Sequence, residues 1–323
     1  MKLFKEVYAL HHQKAKDLLS KGTLHANSAI WLYINDLRTP MFMLEATSRI
    51  CEKVYDEPCF AKMKEQYKAV EDALGALDFY AAFFKELEPK STIPNTVKQY
   101  LAEKAAEKAN ALNQLLEKEG WLNGKRLEKM EQQLKSINWR KEEKELKKIT
   151  EFYAKDVEKI TEFAYSTHFT FAHIEEVHEI RRRIRWLSIY AQALAGVFQF
   201  NKTETTVTDL LSPYLTEAVK KSPFNIMPTT LEVATPILLN KNYFFSLSWM
   251  IAELSRYKDS GLGVEVLKEA LQNTAFLKDA AAYAEAYKLL GKDQVPLDVL
   301  ISKSQTVIKT YFDEGHLKHL LSV

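Results

Sequence analysis

The sequence predicts an all-α protein, and three observations carry that expectation. Apolar residues recur at helical spacing along almost the whole chain. Glycine and proline are scarce, nine of each in 323 residues, about half of the roughly 12% that ordinary usage supplies. These breakers are concentrated in short interruptions between long periodic stretches. Turn-rich β architectures cannot be built on so few of them.

The elements follow in order from that pattern. The first helix, over 2–20, is amphipathic, because Lys5, Glu6, His11 and Lys14 break its apolar residues. Ser20-Lys21-Gly22-Thr23 ends it, and a helix over 27–56 follows with Pro40 inside, which implies a kink or a further boundary. Pro58 opens a helix over 59–88, whose Phe79, Tyr80, Phe83 and Phe84 read as core. Pro94 precedes a helix over 96–119, and Gly120 to Gly124 separate it from one over 125–136. A helix over 138–166 begins with Trp139 to Lys148, where both charge signs at i,i+4 spacing read as a solvated face. Helices over 170–200 and 206–221 come next. Pro223 and Pro228 interrupt the chain before a helix over 229–257 that contains Pro236. The last two helices span 262–290 and 296–320, parted by Pro296.

A weak internal echo suggests duplication. Asn35-Asp36-Leu37-Arg38 resembles His178-Glu179-Ile180-Arg181, and Ala73 to Asp78 resembles Thr274 to Asp279. The expected architecture is therefore a duplicated antiparallel bundle of long helices with pseudo-two-fold related halves. The first half would span 1–137 and the second 138–323, with an inserted segment at about 201–260.

Composition excludes several functions. With 45 basic and 43 acidic residues the net charge is +2, so no global field gathers nucleic acid or an anionic membrane. No run approaches the roughly 20 apolar residues of a membrane span. The two cysteines, Cys51 and Cys59, form no disulfide framework or metal pattern. A cytoplasmic protein without a secretion signal is expected, so the sequon Asn201-Lys202-Thr203 is not expected to carry a glycan. No phosphate-binding loop or nucleophile motif occurs, and an enzyme is not expected.

One segment stands apart. In Val177 to Leu187, at about 100° per residue, Val177, Ile180, Ile184, Leu187, Ala191 and Leu194 form an apolar stripe. His178, Arg181, Arg182 and Arg185 group on the opposite side. Like charges within two turns repel, and either a bound anion or Glu175, Glu176 and Glu179 would relieve them. Guanidinium groups bind phosphate bidentately, so phosphate or polyphosphate is the matching ligand class.

His178 to Leu187 also resembles the second-half motif of CHAD domains, the conserved-histidine α-helical domains, with His178, Arg181 and Arg185 on its histidine and basic positions. Ala73 to Asp78 is similar to that family's Leu-Gly-x-x-(Arg)-Asp signature. The resemblance implies a duplicated helical bundle that binds inorganic polyphosphate, or phosphate and sulfate anions, without catalysis. Together with the spacing of the cationic stripe, which adds Arg182, it gives an expected site of Arg38, His178, Arg181, Arg182 and Arg185. In the first half Asn35 stands where the histidine is expected, and Met41, Phe42 and Met43 replace basic positions. The competing expectation is a helical scaffold that has lost the anion site and engages a protein partner.

Glu175-x-x-His178 and Asp313-x-x-His316 have the spacing of di-iron bundles, but Asp313 is a poor match and no metal or other cofactor is expected. His11, His12, Lys155, Lys159, His316 and His319 read as exposed residues that could add charge to a cavity.

Overall fold

The computed structural model describes residues 1–55, 57–201 and 207–321. Among them the chain forms twelve α-helices and one pair of three-residue strands, so the protein is all-α. The helices are α1 (Leu3–Gly22), α2 (Ser28–Ile34), α3 (Arg38–Tyr55), α4 (Pro58–Leu87), α5 (Asn95–Lys118), α6 (Lys125–Lys135), α7 (Glu142–Ser166) and α8 (Ile174–Ala193). After β1 (Phe198–Phe200) come α9 (Glu217–Lys220), β2 (Ile237–Leu239), α10 (Lys241–Thr274), α11 (Asp279–Leu290) and α12 (Leu297–Asp313). No helix is long and apolar enough to cross a membrane, among the described residues.

The departures from the expected elements have local causes. The helix expected over 27–56 divides at Asn35 to Leu37, where Asp36 adopts a positive φ of 57°. Pro40 therefore falls in the first turn of α3, where its missing N–H is an orphan donor anyway. The helix expected to reach residue 200 stops at Ala193, because Ala195 and Gly196 turn with positive φ and Phe198–Phe200 pairs in parallel with Ile237–Leu239. Pro236 precedes that second strand, and α10 begins only at Lys241. Most of the helix expected over 206–221 is irregular, with a 3₁₀ turn at Ser212–Tyr214 and the single turn of α9. Conversely, α10 runs through Gly261 and Gly263, since an isolated glycine weakens a helix without ending it. Residues 202–206 lie outside the described residues, and with them part of the sequon and the start of the expected insertion.

The chain forms two compact units. The first comprises Lys5–Trp139 and Gly263–Gln294. Within it α3 and α4 are antiparallel, since Lys64 near the start of α4 pairs with Glu52 near the end of α3 at 2.8 Å, and Arg38 at the start of α3 pairs with Asp78 late in α4 at 3.0 Å. Tyr8 of α1 and Ser48 of α3 share a 2.9 Å hydrogen bond inside this core. Glu269 accepts hydrogen bonds from Tyr80 (3.0 Å) and Tyr100 (2.7 Å), tying α4 and α5 to the end of α10. Phe79, Tyr80, Phe83 and Phe84 are half-buried, contrary to their reading as core.

The second unit comprises Met1–Phe4, Arg140–Leu262 and Val295–Val323. Its core is built by Ile149, Tyr153 and Ile160 of α7, the apolar stripe of α8, Phe244, Leu247 and Met250 of α10, and Ile308 of α12. Tyr153 packs on Phe198, ring centroids 5.0 Å apart.

The reading of Trp139 to Lys148 as a solvated helical face is corrected at two positions. Trp139 precedes the helix and is buried among Tyr8, Tyr55 and Phe60. Glu145 is fully buried and accepts the Leu3 N–H at 2.7 Å. Charge pattern at i,i+4 reports a solvated face only when no other segment packs on it. His11, His12 and His316 are buried as well, not exposed; an imidazole presents enough apolar ring to sit in a core when a nitrogen finds a partner, as His12 does in Tyr67 and His316 in Glu314.

Candidate functional site

The cationic face of α8 is set up from its first turn. The Glu176 carboxylate turns back and accepts the N–H groups of Ala172 (2.6 Å) and His173 (2.9 Å). Those bonds satisfy orphan donors at the helix start and hold the Glu176 carboxyl below its usual range. Glu176 is thereby committed to the backbone. The stripe of Val177, Ile180, Ile184, Leu187, Ala191 and Leu194 is wholly buried, as the spacing predicts; on the opposite side Arg182 is exposed, while His178, Arg181 and Arg185 are half-buried.

On that side the arginines have different surroundings. Arg182 and Arg183 both pair with Glu179, at 2.8 and 2.7 Å, and the Arg183 guanidinium lies 3.7 Å from the centroid of the Phe163 ring. One carboxylate thus serves two cations. Arg181 reaches α10, donating from Nε to Ser255 Oγ at 2.5 Å, while Ser255 donates to the Ile251 carbonyl at 2.6 Å. Arg185, one turn further along α8, is half-buried.

His178 is half-buried in the same unit, and its Nδ1 has no hydrogen-bond partner among the described residues. Burial pushes its pKa down to about 4, and Lys258, Arg181 and Arg182 push it the same way. A protonated ring would add to a place already crowded with positive charge. At neutral pH the imidazole is therefore neutral, with one nitrogen to offer. The Lys258 ammonium is itself 2.5 Å from Asp259.

Four of the five sequence-derived site residues, His178, Arg181, Arg182 and Arg185, share α8. The fifth, Arg38, belongs to the first unit. There its Nε bonds Glu71 at 2.7 Å and its Nη1 bonds Asp78 at 3.0 Å. Two residues escaped the sequence reading, Ser255 and Lys258. Their i,i+3 spacing places both on one face of α10, but the helix was expected to stop at residue 257, so no face was drawn through them. Among the described residues no cluster of three or more His, Cys, Asp or Glu side chains could hold a metal ion.

The fold and the site define an all-α protein with a cationic helix face. Compared with known proteins, the chain matches no protein-family model, no curated protein and no solved structure.

Proposed function

We propose that the face shared by α8 and α10 binds a phosphate-rich anion, most directly inorganic polyphosphate, without catalysis. In this reading the chain is a divergent, duplicated CHAD-type bundle of the cytoplasm, and its anion site has contracted to the second unit. The observation that carries the proposal is the setting of His178. A buried ring nitrogen without a hydrogen-bond partner among the described residues lies in the field of Arg181, Arg182 and Lys258. An anion seated there would accept from the imidazole and neutralise the cations together. Glu179 supplies one negative charge against the neighbouring arginines, and Glu176 is turned away.

The test is isothermal titration of long-chain polyphosphate into wild type, Arg181→Ala/Arg185→Ala and Lys258→Ala, at low and at physiological salt. The proposal expects binding that weakens with salt and is lost in the double variant. Counterion competition demands the first result. Equal binding by folded wild type and double variant overturns the site.

A second reading has its own support, that the chain is a helical scaffold for a protein partner. Arg38 is engaged by Glu71 and Asp78, and Met41 is fully buried beside it in sequence. Absence of polyphosphate binding by folded wild type would favour this reading.

A further inference from the structure

The first unit holds a cavity of about 350 Å³ between α1, α6 and Trp139, within the roughly 300–1,000 Å³ usual for small-molecule sites. Both helices line it in helical register. Lys5, Tyr8 and His12 recur on one face of α1, and Glu131, Leu134 and Lys135 on one face of α6.

Its inner wall is apolar and held in place. Tyr8 and Trp139 have ring centroids 6.1 Å apart, and the Trp139 indole N–H donates to the Leu134 carbonyl at 3.2 Å. His12 is buried, its Nε2 2.5 Å from the Tyr67 hydroxyl. Burial, with His11 and Lys16 nearby, brings its pKa down to about 4, so at neutral pH this part of the wall carries no charge.

The outer wall is charged. Lys5 and Lys135 are exposed and Glu131 is half-exposed. None of the three has an ion pair or hydrogen bond among the described residues. An apolar recess whose rim offers two positive charges and one negative charge is complementary to a small zwitterion with an apolar body.

We propose that this cavity binds an apolar α-amino acid. Its side chain would lie against Tyr8, Leu134 and Trp139, its carboxylate toward Lys5 and Lys135, and its ammonium toward Glu131. The site lies within one unit and is independent of the anion face on α8.

The experiment is isothermal titration of the full chain at pH 7 with L-phenylalanine, L-tryptophan and L-leucine, beside 3-phenylpropionate and 2-phenylethylamine, each of which lacks one of the two charges. At least one amino acid is expected to bind, and both single-charge analogues to bind roughly tenfold or more weakly than L-phenylalanine. Glu131→Gln should weaken L-phenylalanine and leave 3-phenylpropionate unchanged. Ala9→Trp, on the exposed edge of the cavity, should block binding while the circular dichroism spectrum and melting temperature stay those of wild type. Three results would each overturn the proposal: no heat from any of the three amino acids with folded protein, 3-phenylpropionate binding as tightly as L-phenylalanine, or undiminished binding by folded Ala9→Trp.

Discussion

The Arg38 guanidinium occupies the space that a side chain on Gly75 would need. A β-carbon built there would stand 2.6 Å from Arg38 Nη2, well inside contact distance. Gly75 thus lets the guanidinium pass across α4 to reach Glu71 and Asp78. Alanine in mid-helix is ordinarily favoured over glycine by about 1 kcal/mol. Here Gly75→Ala must displace Arg38 and take the cation from the buried Glu71 carboxylate, so a net loss on the order of 1 kcal/mol is expected. In the Arg38→Ala background the same substitution should stabilise by roughly 0.5–1 kcal/mol. Urea unfolding of the four proteins in this double-mutant cycle checks the change of sign; additive effects would refute the steric coupling.

Stability should fall on acidification through His12. Its folded-state pKa is about 4, against about 6.5 when unfolded. The folded state therefore takes up its proton later than the unfolded state. The contribution is fully present above about pH 6.5 and is lost as pH falls from there toward 4. The whole span is on the order of 3 kcal/mol as an upper figure. Imidazole resonances followed by NMR from pH 7.5 to 4 should show His12 still neutral at pH 5.5. A midpoint near 6.5 would show that burial is not opposing its charge.

His178 offers a direct check on the anion reading. Its pKa is also about 4, with burial and three nearby cations responsible. A bound phosphate chain would counter the cations, so saturating polyphosphate should raise the His178 midpoint toward its usual value. NMR titration of the ring with and without polyphosphate reads this shift. An unchanged midpoint under saturating ligand would place the anion elsewhere.

Gly196→Ala should destabilise the second unit by roughly 3 kcal/mol. Gly196 has φ +134°, and a β-carbon there would lie 2.4 Å from the Leu231 carbonyl oxygen, which is backbone and cannot swing aside. The neighbouring Leu231 N–H to Ala195 carbonyl bond, 2.8 Å, holds that approach. Thermal unfolding of the variant measures the loss, and a melting temperature within a degree of wild type would contradict it.

Much of the fold was legible because helical periodicity is local. α4 starts at Pro58, and α5 and α12 start directly after Pro94 and Pro296, since proline biases the residue before it and tolerates the first turn. The segment between Ala193 and Lys241 was not legible. Phe198–Phe200 is too short to show alternation, and its pairing with Ile237–Leu239 joins residues far apart in sequence. The site was half legible in the same sense. Spacing put His178, Arg181, Arg182 and Arg185 on one side of α8, but nothing in it revealed Ser255 and Lys258 opposite, or that Glu176 would turn to the backbone.

By itself the sequence determined the all-α class, the buried stripe of α8 and the cationic character of the opposite face, because each depends on residues within a few turns of one another. Tertiary structure alone decided which charges remain available. Arg38 is matched by Glu71 and Asp78, Glu145 is sealed under Leu3, and Lys5, Glu131 and Lys135 meet around a cavity without an ion pair among the described residues. A charge acts through its distance to other charges and through its burial, and between residues separated by dozens of positions both are set by packing.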